Sequence, residues 1–174
     1  KRFIKTKNMK KIKNISLSSR LIAKRQEDIN TNSKFEHFLD LVLEKNSIKW
    51  YNDSKSTDIK ATCFSLETLD RPIIWLVESY DKKRELDFIK SLVKNKVKKI
   101  ICKGKYDTDI EYAYTSLVER YAYKETLADA ILKAKEWASL NDVVLFSPSC
   151  PGNNEFEDYK HRGNAFVSLI NQIV

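Results

Sequence analysis

Trp50-Tyr51-Asn52-Asp53-Ser54-Lys55-Ser56-Thr57-Asp58 runs an apolar strand straight into a dense polar turn that opens a helix. The turn gathers carboxylates, an ammonium and hydroxyls beside the unpaired N–H groups of a helix start, which suits an anionic ligand. The bland reading is a capped helix, with Ser56 or Thr57 as N-cap. A cap explains one residue, whereas a lysine flanked by hydroxyls and two acids points to a site.

Outward from this turn the pattern becomes regular. Upstream, Phe38 to Leu43, the turn signal Asn46-Ser47 and Ile48 to Asn52 read as a hairpin. Downstream, the short apolar runs Ile73–Val77, Lys99–Cys102, Arg120–Tyr123 and Val143–Phe146 read as strands. They alternate with helical periodicity over 58–69, 85–97, 109–119, 126–140 and 154–173. All-apolar strands alternating with amphipathic helices predict an α/β, Rossmann-like three-layer domain. Its sheet is mainly parallel, with an antiparallel edge hairpin. Ligands of such sheets sit at the carboxyl ends of the strands. Function is therefore expected in 53–58, 78–84, 103–109 and 147–154. The loop Glu78 to Arg84 reads either as an anion site through Lys82, Lys83 or Arg84, or as an ordinary surface loop. The stretch from Ser147 to Asn154 is a rigid polar connection that can receive a carboxylate or simply join strand to helix.

Composition narrows the function classes. The chain has 174 residues and a formal net charge of +8. Lys1, Arg2, Lys5, Lys7, Lys10, Lys11 and Lys13, with no acid among them, carry nearly all of that charge, so the body is almost neutral. A nucleic-acid binder is therefore disfavoured, because apart from Phe3 the basic tail lacks interleaved stacking aromatics. Residues 1–13 read as a basic flexible tail and 14–34 as a helix and connector. No apolar run reaches the length of a membrane span, and the N-terminus lacks the apolar core of a secretory signal. Cys63, Cys102 and Cys150 are odd in number and far apart, which fits a reducing cytoplasm. With two histidines and no CxxC pair, no metal site is expected. Cys150 lacks an evident histidine partner for a nucleophilic role. The sequence contains no GxxxxGK[ST] and no GxGxxG, and its three glycines are Gly104, Gly152 and Gly163.

Two segments together carry a resemblance. The turn at Trp50 to Asp58 resembles the pattern W-x-N-D-S-K-A-T-N. The stretch from Val144 through Ser147-Pro148-Ser149-Cys150 to Phe156, Tyr159, Arg162, Gly163 and Phe166 resembles L-L-S-P-A-C-A-S-x-D-x-F-x-x-[FY]-x-x-R-G-x-x-F. Both patterns belong to the C-terminal domain of the Mur ligases that add D-glutamate to UDP-N-acetylmuramoyl-L-alanine. The resemblance implies a Mur ligase C-terminal domain over 35–174, with 14–34 as a remnant of the end of the central domain. It implies an amino-acid-binding domain of an ATP-dependent ligase in peptidoglycan precursor synthesis. ATP and Mg would enter only with a central P-loop domain, in cis or in trans, so no catalytic residue is expected within this chain alone. It further implies that Asp53, Lys55 and His37 are nucleotide-proximal, and that Thr57, Lys82, Gly152, Asn153 and Tyr159 contact D-glutamate or a related amino acid.

The departures fall at ligand positions. Phe38 stands where an arginine is expected, Glu78 and Ser79 replace glycines, Lys83 replaces another, and Gly152 replaces a serine. A degenerate stand-alone domain acting as a binding or interaction module is therefore the second reading.

Overall fold

The computed structural model describes residues 35–70, 72–152 and 155–174. The expected tail at 1–13 and helix with connector at 14–34 lie outside the described residues. Six strands form one sheet: β1 (Asp40–Lys45), β2 (Ile48–Asn52), β3 (Ile73–Glu78), β4 (Val97–Lys103), β5 (Arg120–Lys124) and β6 (Val143–Phe146). Their order is β1-β2-β6-β3-β4-β5. Among the described residues only the β1–β2 hairpin is antiparallel; every other neighbouring pair is parallel. The α/β, mainly parallel sheet with an antiparallel edge hairpin is thus the observed architecture.

The apolar runs are continuous because both sheet faces are covered, so alternate residues enter different cores. Ile73, Trp75 and Val77 of β3 join one core with Ile100, Cys102, Val143 and Leu145. That core is covered by α1 (Ile59–Thr68), α2 (Lys90–Lys96) and α3 (Thr108–Tyr114). Ile74 and Leu76 face the other core with Trp50, Ile101, Val144 and Phe146. It is covered by α4 (Leu127–Trp137) and α5 (Tyr159–Ile173). Phe146 and Phe166 stack there at 4.7 Å between ring centroids.

Several element ends differ from the sequence reading. The helix expected over 85–97 is a 3-10 turn, Leu86–Ile89, followed by α2, because buried Val97 already belongs to β4. The helix expected over 109–119 closes early into the 3-10 turn Thr115–Leu117. The last helix starts at Tyr159 rather than 154, where extended Asp158 caps it by accepting from His161 N at 2.8 Å. The first strand starts at Asp40 rather than Phe38, because His37 and Leu39 hold positive φ values of 59° and 50°. No helix among the described residues is long and apolar enough to cross a membrane.

The order of strands sets the site. The loops after β2 and β3 run to helices on one face, while the loop after β6, which lies between them, runs to α5 on the other. A crevice opens at the carboxyl ends where neighbouring connections diverge in this way.

Candidate functional site

A cleft of about 370 Å³ occupies that crevice. The loop after β2 and the start of α1 contribute Thr57, Asp58, Ile59 and Lys60. The loop after β3 contributes Tyr80, Lys83, Arg84 and Glu85, and the loop after β6 contributes Ser149 and Pro151. Lys60 and Glu85 pair at 3.0 Å. Arg84 is anchored on Asp107 at 2.5 Å and on the Glu78 carbonyl at 2.9 Å. Asp107 in turn caps α3 through the N–H groups of Asp109 and Ile110. Lys83, by contrast, is exposed. The cleft thus mixes cationic and anionic side chains, which suits a zwitterionic ligand better than a simple anion.

The polar turn that opened the sequence faces mostly inward. The helix cap is Asp58, which accepts from Ala61 N at 2.7 Å, and neither Ser56 nor Thr57. Ser56 instead donates to Asp53 Oδ2 at 2.5 Å, as does Ser65 at 2.5 Å and Ser147 at 2.9 Å. Asp53 Oδ1 accepts from Leu39 N at 3.2 Å. Asp53 is fully buried, so its carboxylate braces the turn from within. Ser54 is buried as well, donating to the Tyr159 carbonyl and holding Arg162. The expected anion-holding cluster therefore divides: Asp53, Ser54 and Ser56 build the scaffold, and Thr57 reaches the cleft.

The Lys55 ammonium lies over the Phe35 ring at 2.9 Å and within 5.9 Å of the Phe38 ring, a cation–π arrangement. Phe38, at the position of the expected arginine, stacks on Phe64 at 5.6 Å. His37 is buried, and its Nδ1 accepts from Asn52 Nδ2 at 2.9 Å. That leaves Nε2 to donate to Asn164 Oδ1 at 3.1 Å. Lys82 is exposed and does not line the cleft, whereas its neighbours Lys83 and Arg84 do. Gly152 follows the cleft residue Pro151. Tyr159 opens α5 and is partly buried. Asn153 lies outside the described residues.

What holds the three loops together is Arg162, fully buried on α5. Its Nη2 donates to the Ser54 carbonyl at 2.8 Å and its Nε to Ser54 Oγ at 3.0 Å. Its Nη1 meets Glu78 Oε2 at 2.8 Å and the carbonyls of Cys150 and Pro151 at 3.1 and 3.2 Å. Glu78 also pairs with Lys103 at 3.2 Å, and Lys103 reaches out to Glu155. One guanidinium therefore ties the loop after β2, the end of β3 and the loop after β6, with all side chains of the Arg162–Glu78–Lys103 group buried. Arg162 was visible in the sequence only as a pattern residue. Glu78 entered the sequence reading only as the first residue of a charged loop and as a replacement for a glycine, and its partner is 84 residues away. Burial pushes the Cys150 thiol up to about 12, and the adjacent Glu78 carboxylate adds to the shift, so Cys150 is packing rather than a nucleophile.

Gly163 serves the same corner. A Cβ there would lie far inside van der Waals distance of the His37 ring. Gly163→Ala is expected to displace His37 and to break its bonds to Asn52 and Asn164, lowering stability by roughly 2 kcal/mol. A urea titration checks this, and a loss below about 0.5 kcal/mol would contradict the close packing.

No protein-family model matches this chain. The UDP-N-acetylmuramoylalanine--D-glutamate ligase of Caldicellulosiruptor bescii is 38% identical over 144 residues, covering 80% of this chain and 31% of the relative. The ligase of the same name from Christiangramia forsetii is 31% identical over 170 residues, covering 95% of this chain and 38% of the relative. The chain thus spans about a third of the length of the curated relatives it matches. Among solved structures, Thermotoga maritima MurF ligase in complex with ADP matches with a TM-score of 0.54 at 11% identity, over 88% of this chain and 36% of that one, a likeness of fold. The chain belongs to the Mur ligase family and corresponds to a C-terminal part of its UDP-N-acetylmuramoylalanine–D-glutamate ligases.

Proposed function

We propose that this chain is the amino-acid-binding part of a cytoplasmic, ATP-dependent ligase that joins D-glutamate to UDP-N-acetylmuramoylalanine. The observation that carries this reading is the meeting of two distant motifs in one cleft. Thr57 comes from the first, and Ser149 and Pro151 come from the second. In this reading Thr57, Lys82, Gly152, Asn153 and Tyr159 contact the amino acid. Lys60, Lys83 and Arg84 supply the positive charge a carboxylate needs.

Nucleotide and magnesium are held by the central domain, with Lys55 and His37 on the side of this domain that meets them. Asp53 fits that role poorly, because its carboxylate already accepts from three hydroxyls. ATP supplies the phosphoryl group that activates the substrate carboxylate. The contribution of this chain is to bind and orient the incoming amine.

The test combines the protein with UDP-N-acetylmuramoyl-L-alanine, ATP, magnesium and D-glutamate, with and without a P-loop-bearing central domain of such a ligase. No phosphate release is expected from the chain alone, and release is expected with the central domain. Silence in every combination would sink the ligase reading. One observation favours the second reading, a binding module without catalysis: Phe38, packed on Phe64, stands in place of the expected arginine. D-glutamate shifting the NMR resonances of Thr57, Lys82 and Gly152 without any phosphate release would select that reading.

A further inference from the structure

Behind the cleft runs a buried chain of hydroxyls whose polarity is set by one carboxylate. Ser147 Oγ donates to Asp53 Oδ2 at 2.9 Å. Thr62 Oγ1 lies 2.7 Å from Ser147 Oγ and 2.6 Å from Ser149 Oγ. A hydroxyl carries a single proton. Ser147 has spent its proton on Asp53, so Thr62 must donate to Ser147. Thr62 has then spent its own, so Ser149 must donate to Thr62. A longer contact from Ser149 Oγ to the Ser147 carbonyl, at 3.5 Å, competes weakly, because that carbonyl already accepts from Trp75 Nε1 at 2.8 Å.

Ser149 is the member of this chain that lines the cleft. It is 1% exposed and held at a φ of 59° by the bond from its N–H to the Ser56 carbonyl at 3.0 Å. With its proton directed inward, its hydroxyl has only lone pairs left to offer. Such a group accepts from an N–H donor and repels a carboxylate oxygen.

We infer that Ser149 is a specificity-determining residue that takes the ammonium group of the amino-acid ligand, through a relay fixed by Thr62, Ser147 and Asp53. The ligand then lies with its amine on the cleft floor and its carboxylates toward Lys60 and Lys83. Asp58, which also lines the cleft, contributes negative charge there. The position is an alanine in the pattern that the sequence resembles, so this contact belongs to this chain rather than to the shared motif. The inference rests on the amino-acid-binding reading above and names the group that distinguishes the ligand.

The test titrates the full chain with D-glutamate and with glutarate, which has the same two carboxylates and no amine. Wild type is expected to prefer D-glutamate by about tenfold, the worth of one charge-assisted hydrogen bond. Ser149→Ala and Thr62→Val are expected to reduce that preference to about threefold or less, and Thr62→Ser to retain it. Full preference in Ser149→Ala, or no preference in wild type, would overturn the assignment. If neither dicarboxylate binds, the D-glutamate reading fails by itself. Methylammonium chloride, against sodium chloride at equal ionic strength, then decides the assignment. A shift of the Ser149 amide in wild type but not in Thr62→Val supports it, and any other result overturns it.

Discussion

Replacing Arg162 by methionine is expected to lower the unfolding free energy by about 3 kcal/mol, and the melting temperature by roughly 10 °C. The methionine fills most of the volume, so the loss is electrostatic. Glu78 Oε2 would lose its nearest cation and remain fully buried. Lys103 would stay 3.2 Å from the other carboxylate oxygen, which keeps the cost at the lower end for a broken buried pair. The carbonyls of Ser54, Cys150 and Pro151 would lose a donor at the same stroke. Adding Glu78→Gln to the methionine variant removes the stranded charge and is expected to restore about 1 kcal/mol. Urea denaturation of the single and double variants checks both numbers. A single variant within about 1 kcal/mol of wild type would mean that the buried ion pair does not hold these loops.

The same residue shows where sequence reading stops. The alternation of all-apolar strands with amphipathic helices was legible because each strand is buried on both faces, as Ile73 to Val77 feeding two cores demonstrates. The position of the cleft was legible too, since strand order forces the loops after β2, β3 and β6 together, although the expected segment 103–109 does not line it. Its internal wiring was not. Asp53 and Lys55 are equally polar in sequence, yet one is sealed beneath hydroxyls from Ser65 and Ser147, 12 and 94 residues away, and the other rests on Phe35. Lys82, Lys83 and Arg84 are indistinguishable as a basic run. Only the last is anchored on a buried carboxylate, because Asp107 caps a helix that packs beside it. The helix cap expected at Ser56 or Thr57 falls on Asp58 for a similar reason. All three residue types can cap, and Ser56 is drawn off by Asp53.

Asp53→Ala is expected to cost about 4 kcal/mol, the largest effect of any single change at the site. Three hydroxyls donate to Oδ2, and hydrogen bonds to a charged group are each worth more than neutral ones. Their donors are buried and would have to find other acceptors. Oδ1 also holds the Leu39 N–H, in a segment where His37 and Leu39 both carry positive φ, so the carboxylate supports a backbone that does not favour its own conformation. Asp53→Asn preserves the shape but offers an amide N–H to one set of donors, and about half the loss is expected. Equilibrium unfolding in urea ranks the two variants, and a change below about 1 kcal/mol in Asp53→Ala would contradict the bracing role. The asparagine variant carries a second consequence. Without a carboxylate to take its proton, Ser147 is no longer compelled to point inward, and the polarity passed through Thr62 to Ser149 is lost. A folded Asp53→Asn protein should therefore distinguish D-glutamate from glutarate less well than wild type, although Asp53 does not line the cleft.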